Sequence, residues 1–555
     1  MLAPLFSLSP NPASVPTCPP LLSYLASFFS SPLSSSVFFD CNVDVPSLPS
    51  LGPLRLPLIL VLALSFGLSV FAFELYLDSR QRSCYLVKEV PPRLAAAIRT
   101  VESSRKDSTS SPAPPLPAAT DAPTSAAATL AAAAGPAPSL SLAVASKFAK
   151  AQSYGYDKIT YSMVHSSYST LESTVFTILG YMPFFWHVSD RAYEMSKAAV
   201  EANTRTPAFV RGLIPARGSG NEEIAISVVF FVLTALVAEI TNLPWEMYHT
   251  FVIERKHNFN KMTLGLYFTD KVKTFALTAF LGSPVVALVL VFLKYTGPNF
   301  FIYTWALCFV LSLGFMTIYP SYIAPLFNKY EPLPDGPLRR AIFALAQRLD
   351  YPLTKLFVVD GSKRSSHSNA YLFGFGKNKR IVLYDTLLTQ VDEGEVLAIL
   401  GHELGHWSLW HTAQNFAVVQ LYLAGAFLSF SLATGSGVVS GAFGFDAGAA
   451  PTLVSLLLFF TTLWAPVDKA LSVALTLNSR SCEFAADKHS ADLGMGQQLC
   501  RGLCKIHLEN LGAMCPDWAY SAYHYSHPPL VERLKAIQDG EKERGEEDKK
   551  RKKDN

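Results

Sequence analysis

The stretch Gly401-His402-Glu403-Leu404-Gly405-His406-Trp407 is the most informative part of the chain. Side chains four residues apart lie on one face of a helix, so His402 and His406 can present two imidazoles to a single metal ion. Glu403 follows the first histidine directly and could then take a proton from a water that the metal activates. Such a short pattern also arises by chance, so its surroundings have to decide whether it is a zinc site.

Long apolar runs on both sides of this motif indicate a membrane protein. Half of the 555 residues are hydrophobic and 16% are charged, whereas a soluble enzyme carries about a quarter charged residues. Glu172 and Pro183 weaken the second predicted span, and Asp468 and Lys469 in the last one indicate a face turned to protein or water. We predict seven spans, each near the length of about 20 residues that a bilayer requires, at 56–73, 169–187, 224–243, 274–293, 301–319, 416–434 and 452–475.

Basic residues in the loops set the predicted orientation. They are concentrated after the first, third and fifth spans and are nearly missing after the fourth and sixth. The loop after the second span also carries several basic residues, which weakens the assignment slightly. The positive-inside rule then puts the odd-numbered loops and the C-terminus in the cytosol. The C-terminal Lys552-Lys553-Asp554-Asn555 resembles a dilysine retrieval signal, which indicates the endoplasmic reticulum membrane. A formal net charge of +3 is too small to favour a nucleic-acid partner.

Composition divides the chain into segments. Residues 1–54 lack Lys and Arg, so they do not have the form of a secretory signal and are interpreted as a disordered extension or a misassigned start. Residues 103–145 carry few large apolar side chains and are expected to be a flexible, low-complexity insertion. The other segments are the first span with a cytosolic segment (55–102), spans two to five (146–319), a cytosolic element with the histidine motif (320–415), spans six and seven (416–477), a cytosolic C-terminal part of the same site (478–540) and a charged tail (541–555).

The segment between spans five and six has the pattern of a small α/β element. Lys355-Leu-Phe-Val-Val-Asp360 and Arg380-Ile-Val-Leu-Tyr384 are short apolar runs typical of strands, and glycines lie between them. Asp392 and Glu395 have the spacing of a capping box. This spacing predicts that a helix begins there and carries the histidine motif.

A catalytic zinc site needs a third protein ligand, and an acidic pair after the last span is the best candidate. Glu483 and Asp487 are four residues apart and have apolar neighbours, which is unusual for a solvated acidic face. One carboxylate can bind the metal while the other steadies a ligand histidine. If spans six and seven form an antiparallel hairpin and continue as helices into the cytosol, this pair meets His402 and His406 at the membrane boundary.

His527 is a further candidate. It precedes Pro528 and Pro529, and proline is favoured in the first turn of a helix. A histidine at such a helix entrance could donate to the oxyanion that develops on a peptide under attack, or it could simply cap or pack the helix. Four other histidines are interpreted as structural: His411, His489, His507 and His524.

These motifs together resemble one family, the integral-membrane zinc endopeptidases called CAAX prenyl protease 1. The resemblance covers most of residues 57–540 and leaves out 1–54 and 103–145. The motifs that carry it are Phe251-Val-Ile-Glu-Arg-Lys-His-Asn-Phe259, Ser362-Lys-Arg-Ser-Ser-His-Ser-Asn-Ala-Tyr371, Lys377-Asn-Lys-Arg-Ile-Val-Leu-Tyr-Asp385, the His402 motif, Glu483 to Asp487, and Tyr525-Ser-His-Pro-Pro529.

The resemblance implies a fold and an activity. The expected fold is mainly α, a barrel of seven membrane-spanning helices that encloses a chamber, with a small cytosolic α/β metalloprotease element. The expected activity is removal of the C-terminal aaX tripeptide from prenylated CaaX proteins, by attack of a water that zinc activates. We expect one Zn2+ per chain, and a monomer in the lipid bilayer of the endoplasmic reticulum whose catalytic site faces the cytosol.

The resemblance also assigns roles to residues. His402, His406 and Glu483 match the zinc ligands, and Glu403 matches the general base. His527 matches a catalytic residue that assists the oxyanion. The list is completed by Asp487, which supports a ligand from behind, and Asn369, which is expected to bind substrate backbone at an edge strand.

Two other interpretations remain open. A membrane quality-control zinc protease would use the same ligands and general base but would not require a prenyl group on its substrate. A seven-span receptor or channel without catalytic activity would have no use for this set of residues. Comparing prenylated with unprenylated peptides separates the two proteases, and measuring bound zinc tests the third possibility.

Overall fold

The computed structural model describes residues 57–108, 139–203, 205–207, 211–212, 214–374, 376–433, 441–445 and 450–554. The expectation for residues 1–54 lies outside this part of the chain, as does the expectation for most of 103–145. The two ends of the 103–145 segment are helical, because one helix ends at Ser108 and the next begins at Leu140.

The described part of the chain is mainly helical, as the sequence predicted. Short π-helical turns follow three of the helices, at His249–Glu254, Tyr319–Ile323 and Ala491–Met495. The α-helices are, in chain order, α1 (Leu58–Cys84), α2 (Pro92–Ser108), α3 (Leu140–Ile178), α4 (Tyr181–Ala202), α5 (Glu222–Tyr248), α6 (Leu264–Tyr295), α7 (Phe300–Ile318), α8 (Pro337–Arg348), α9 (Asp385–Gln390), α10 (Glu393–Ser408), α11 (His411–Ala433), α12 (Thr452–Thr461), α13 (Ala465–Ser490), α14 (Gly496–Glu509), α15 (Trp518–His524) and α16 (Leu530–Asp554).

Fewer helices than predicted qualify as membrane spans. Five helical segments in the described residues are long and apolar enough to cross a bilayer, and the bent pair of α12 and α13 makes a sixth if it counts as one span. The five segments are Leu58–Cys84, Glu222–Glu254, Leu264–Tyr295, Gly297–Leu326 and His411–Ala433. Five of the seven predicted spans therefore correspond to an apolar helix, and each of these helical segments is longer than the span predicted for it.

The remaining two predicted spans, 169–187 and 452–475, differ from the structure. The first was wrong as a single helix, because α3 ends at Ile178 and Gly180 adopts the left-handed conformation (φ 75°) before α4 begins. The second is not straight: α12 and α13 meet at an angle of 56°. Glycine adopts a left-handed φ at little steric cost, so the break at Gly180 follows from its missing side chain.

An apolar core joins the helices that cross the membrane. Phe230, Leu290, Phe427 and Leu457 lie in it, one each from α5, α6, α11 and α12. Because lipid is as apolar as these side chains, close packing rather than exclusion of water has to hold such helices together. The core is rich in aromatic rings that interlock edge to face, such as Phe430 against Phe459 at 5.3 Å between ring centroids.

The predicted α/β element is present as a sheet of four strands. Its strands are β1 (Tyr330–Pro332), β2 (Leu353–Val359), β3 (Ala370–Phe373) and β4 (Lys379–Tyr384), in the order β1-β2-β4-β3. The two predicted strands are confirmed as β2 and β4, and they pair in parallel. The outer pairs are antiparallel, which leaves β3 at one edge of the sheet.

A second apolar core lies between this sheet and its helices. Ile381, Val382 and Leu383 of β4 are fully buried against Leu400 and Leu404 of α10. Helices α2 and α3 add side chains to the same core, so the segments on both sides of residues 109–138 pack with the sheet. The elements around this second core are called the peptidase half of the molecule, and those around the first core are called the membrane half. Helix α10, which carries the histidine motif, therefore packs on one side against a buried apolar core.

The predicted capping box fixes where α10 begins. The side chain of Asp392 accepts a hydrogen bond from the backbone of Glu395, and the side chain of Glu395 accepts one from the backbone N–H of Asp392 at 2.9 Å. Two of the backbone donors that a helix start leaves unpaired are thereby satisfied. Lys505 donates to Glu395 Oε2 at 2.8 Å and neutralises this buried carboxylate.

Candidate metal centre

Three side chains from two helices converge on one point. His402 and His406 of α10 and Glu483 of α13 each offer one ligand atom, and these atoms lie within 4.8 Å of one another. The Nε2 atoms of the two histidines are 3.2 Å apart. Glu483 Oε2 lies 3.4 Å from Nε2 of His402, and Glu483 Oε1 lies 3.3 Å from Nε2 of His406.

Two glycines in the motif allow α13 to come this close to α10. A Cβ atom on Gly401 would lie 2.5 Å from the Met495 side chain, and one on Gly405 would lie 3.0 Å from Cβ of His489. A further contact holds the helices together, because the hydroxyl of Ser490 donates to the carbonyl of Ala398 at 2.8 Å. Gly401, just before His402, and Gly405, just before His406, thus permit the close helix spacing that brings Glu483 to the histidines.

His402 is held from behind by a charged pair. Its Nδ1 lies 2.9 Å from Asp487 Oδ1. Arg533 of α16 binds the same carboxylate with two donors, Nη2 at 2.6 Å and Nε at 2.8 Å. Burial alone would lower the pKa of His402, but the hydrogen bonds to Asp487 and Glu483 outweigh burial and raise it to about 10. The surroundings of His402 therefore favour a positive charge at this point.

His406 has a different neighbour, which the sequence analysis missed. Its Nδ1 lies 2.9 Å from Nδ1 of His411, the first residue of α11. His411 was interpreted as structural, and a helix running on from His406 into the membrane was expected. The structure instead ends α10 at Ser408 and turns the chain at Trp410, whose φ of 59° is left-handed.

The donor set fits a divalent metal ion. Two imidazole nitrogens and one carboxylate oxygen are the ligand types of a catalytic zinc site that keeps one position open. Glu483 is 4% exposed, and imidazole nitrogens of His402, His406 and His527 lie within 3.4 Å of its carboxylate oxygens. A buried carboxylate is costly unless a cation or hydrogen-bond donors lie beside it, and a metal ion held by this donor set would meet that requirement.

Glu403 lies next to this cluster on α10. Burial raises the pKa of Glu403 to about 7, although the charge of His402 acts in the opposite direction. A carboxyl group that titrates near neutrality can both accept and release a proton. This is the property that a general base in a hydrolase requires.

The two remaining candidates take different positions. His527, just before α16, lies with Nδ1 2.6 Å from Glu483 Oε2, and its side chain is 37% exposed. Asn369 precedes the edge strand β3: its carbonyl accepts from the backbone N–H of Tyr384 at 3.0 Å, and its side-chain oxygen accepts from the N–H of Ala370 at 2.8 Å. The structure thus brings His527 to the cluster and places Asn369 at the sheet edge that packs against α10.

Comparison with known families agrees with this architecture. Residues 130–329 match the family model described as CAAX prenyl protease N-terminal, five membrane helices. Residues 332–541 match the model of peptidase family M48. The first range contains the helices α3 to α7. Of these, α3 and α4 are long enough to cross a bilayer, at 39 and 22 residues, but they are not apolar enough to qualify as membrane spans.

Individual relatives cover most of the chain. The chain is 41% identical to the human "CAAX prenyl protease 1 homolog" over 428 residues, which covers 70% of this chain and 86% of that protein. It is 44% identical to the Arabidopsis thaliana homolog, with 71% and 88% covered. The crystal structure of S. mikatae Ste24p superimposes with a TM-score of 0.69 and 30% identity, covering 86% of this chain and 99% of that chain.

Identity at this level over most of both proteins is sufficient to assign the family, and the family's metal dependence agrees with the His402, His406 and Glu483 cluster. The chain belongs to the CAAX prenyl protease 1 family, a group of membrane metalloproteases within peptidase family M48.

Proposed function

We propose that this protein is a zinc metalloendopeptidase that removes the aaX tripeptide from prenylated CaaX proteins. The observation that carries the proposal is the cluster of His402, His406 and Glu483 beside Glu403, with the donor set of a zinc peptidase. The names of the relatives support the substrate class, since they are CAAX prenyl proteases from human to Saccharomyces cerevisiae.

His402, His406 and Glu483 would hold one zinc ion through their imidazole nitrogens and the carboxylate. When bound, zinc would supply a Lewis acid that polarises the scissile carbonyl and lowers the pKa of water. Glu483 is shared by the two histidines at 3.4 and 3.3 Å. Each ligand comes from a helix with a packed core behind it, so the site is rigid before substrate arrives.

Glu403 moves the protons. Its carboxylate accepts a proton from the attacking water and then donates it to the nitrogen of the leaving amine. The raised pKa of Glu403, about 7 through burial, supports both steps because neither protonation state is strongly favoured near neutral pH.

His527 assists the oxyanion. Its Nδ1 faces Glu483 at 2.6 Å, which leaves Nε2 as the nitrogen that donates to the carbonyl oxygen under attack. Its partial exposure supports this role, since a group that meets substrate has to be reachable. His527 precedes α16 and Arg533 lies in its first turn, so one short segment positions both side chains.

The substrate backbone binds beside Asn369 as an additional strand on β3. The outer edge of β3 supports this mode, because an edge strand offers free backbone donors and acceptors to an extended peptide. Such pairing holds the peptide through its main chain and leaves the side chains to other contacts.

The membrane helices supply the surroundings for a lipid-modified substrate. Lys271 of α6 lies 3.1 Å from Glu239 of α5 and also contacts Glu246. Charged groups at this depth need water or protein around them, which supports a water-accessible chamber inside the bundle. The basic loops after the first, third and fifth predicted spans support a site that faces the cytosol.

Release of the tripeptide from a farnesylated peptide tests this function. Membranes with the wild-type protein should release aaX, and Glu403→Gln membranes should not, although both bind zinc. The same peptide without its prenyl group should be cut far more slowly. Equal activity of Glu403→Gln and wild type would contradict the role of Glu403, and equal cleavage of both peptides would favour a quality-control protease.

A further inference from the structure

We propose that His411 is a positioning residue for the metal site: it accepts the Nδ1–H of His406 and so fixes which nitrogen of His406 faces the metal. This inference rests on the proposed zinc site and deepens it. It assigns a role to a histidine that looks incidental in the sequence, at the start of a helix of the membrane half.

The contact has the geometry of a hydrogen bond between rings. The two Nδ1 atoms are 2.9 Å apart, and the rings meet edge to face, with centroids 5.1 Å apart and planes at 68°. His411 is 7% exposed, so water competes little for either nitrogen. A short, buried contact of this kind holds one ring orientation against rotation.

The direction of the bond follows from the other nitrogen of His406. Its Nε2 lies within 3.3 Å of both His402 Nε2 and Glu483 Oε1, the atoms that form the donor cluster. A nitrogen that donates its lone pair to a metal carries no hydrogen, so the hydrogen of neutral His406 is on Nδ1. His411 Nδ1 must then be the acceptor, which puts the hydrogen of His411 on its own Nε2.

The turn before α11 places His411 where the bond can form. His411 follows His406 by five positions, and on an uninterrupted helix residues at this spacing do not lie above one another on one face. The left-handed Trp410, at φ 59°, lies between the end of α10 and the start of α11, and His411 comes within 2.9 Å of His406. A bulky residue rarely adopts this conformation, and it persists only where the surrounding structure enforces it.

The two ligand histidines are thus supported by different chemistry. His402 faces the carboxylate of Asp487, whereas His406 faces a neutral ring. A neutral acceptor forms a weaker bond than a carboxylate. His411 is therefore expected to contribute to zinc affinity, but less than Asp487 does.

Zinc affinity of the purified full-length protein, measured by competition with a chelator, tests the proposal. His411→Phe keeps a ring of similar size but has no acceptor, and we expect its affinity to fall about 10-fold, the lower end of the range for such supporting residues. His411→Asn places an oxygen near the position of Nδ1 and should restore the affinity to within a few-fold of wild type.

His489→Leu is the matched control. His489 packs against the same helix at Gly405, its Nε2 has no hydrogen-bond partner among the described residues, and its substitution should leave zinc affinity unchanged. If His411→Phe does not fold, His411→Leu replaces it. Zinc affinity equal to wild type in the Phe or Leu variant, or equal loss in Asn and Phe, would overturn the proposal. A wild-type protein that binds no zinc would instead refute the proposed metalloprotease site itself.

Discussion

The two histidines of the proposed metal centre, His402 and His406, differ in what holds their rings in place. On one side, Asp487 connects His402 to Arg533 through contacts of 2.9 Å and 2.6 Å, all of them buried. On the other side, His411 contacts His406 across a left-handed turn at the membrane boundary. In the proposed metal site, one ligand histidine is supported by the peptidase half of the molecule and the other by the membrane half.

Removal of Glu483 is expected to have the largest effect, because both sides depend on it. Glu483→Ala leaves two imidazoles without the third ligand, so we expect no stoichiometric zinc and background cleavage of a farnesylated peptide. Metal analysis and aaX release measure the outcome. Asp492→Ala, at an exposed carboxylate next to α13, is the control and should behave as wild type. Normal zinc content in Glu483→Ala would show that the two sides do not share a ligand.

Loss of Asp487 should come next. Asp487→Ala removes the support of His402 and is expected to weaken zinc binding by about 10- to 100-fold. It also leaves the buried Arg533 without its partner, which costs about 3–5 kcal/mol of stability. Chelator competition and thermal unfolding measure the two effects separately.

A second variant separates the two roles of Asp487. Asp487→Ala with Arg533→Met removes the unpaired charge, so it should regain most of the stability and none of the zinc affinity. If the double variant regained zinc affinity as well, Asp487 would act by neutralising Arg533 rather than by holding His402.

Substitutions of Trp410 are expected to have the smallest effects, and they test whether the turn holds His411 against His406. Trp410 is 71% exposed, so Trp410→Gly should change the stability by no more than about 1 kcal/mol, since relief of the left-handed strain offsets the lost contacts. Its zinc affinity should equal that of wild type. Trp410→Pro fixes φ near −65° and should separate His411 from His406.

Zinc affinity of Trp410→Pro is therefore expected to fall as far as that of His411→Phe. Both variants can be compared with wild type in one chelator competition. A proline variant with full zinc affinity would show that the turn does not position His411.

The peptidase half could be predicted in detail from the sequence. The capping box at Asp392 and Glu395 and the strands β2 and β4 follow from spacing along one helix or strand, and such spacing is visible in a sequence. The approach of Glu483 to the histidines joins two helices, and it was inferred from the third ligand that a zinc site requires. The assigned catalytic roles of Glu403, His527 and Asn369 remain predictions.

The membrane half was predicted less well because the breaks and bends in its helices depend on the backbone angles of single residues. Hydropathy does not reveal that the chain breaks at Gly180 or bends between α12 and α13. The role of His411 was missed for the same reason, since only the left-handed Trp410 makes it a neighbour of His406. Histidines close to a ligand in sequence but off its helical face could be checked for such turns.

X-ray absorption at the zinc edge of the purified wild-type protein tests the proposed metal centre directly. We predict one zinc per chain, coordinated by nitrogen and oxygen at about 2.0–2.2 Å with the scattering pattern of two imidazoles. Absence of zinc would contradict it. A sulfur neighbour at about 2.3 Å would also contradict it, because the buried Cys482 next to Glu483 would then be the ligand.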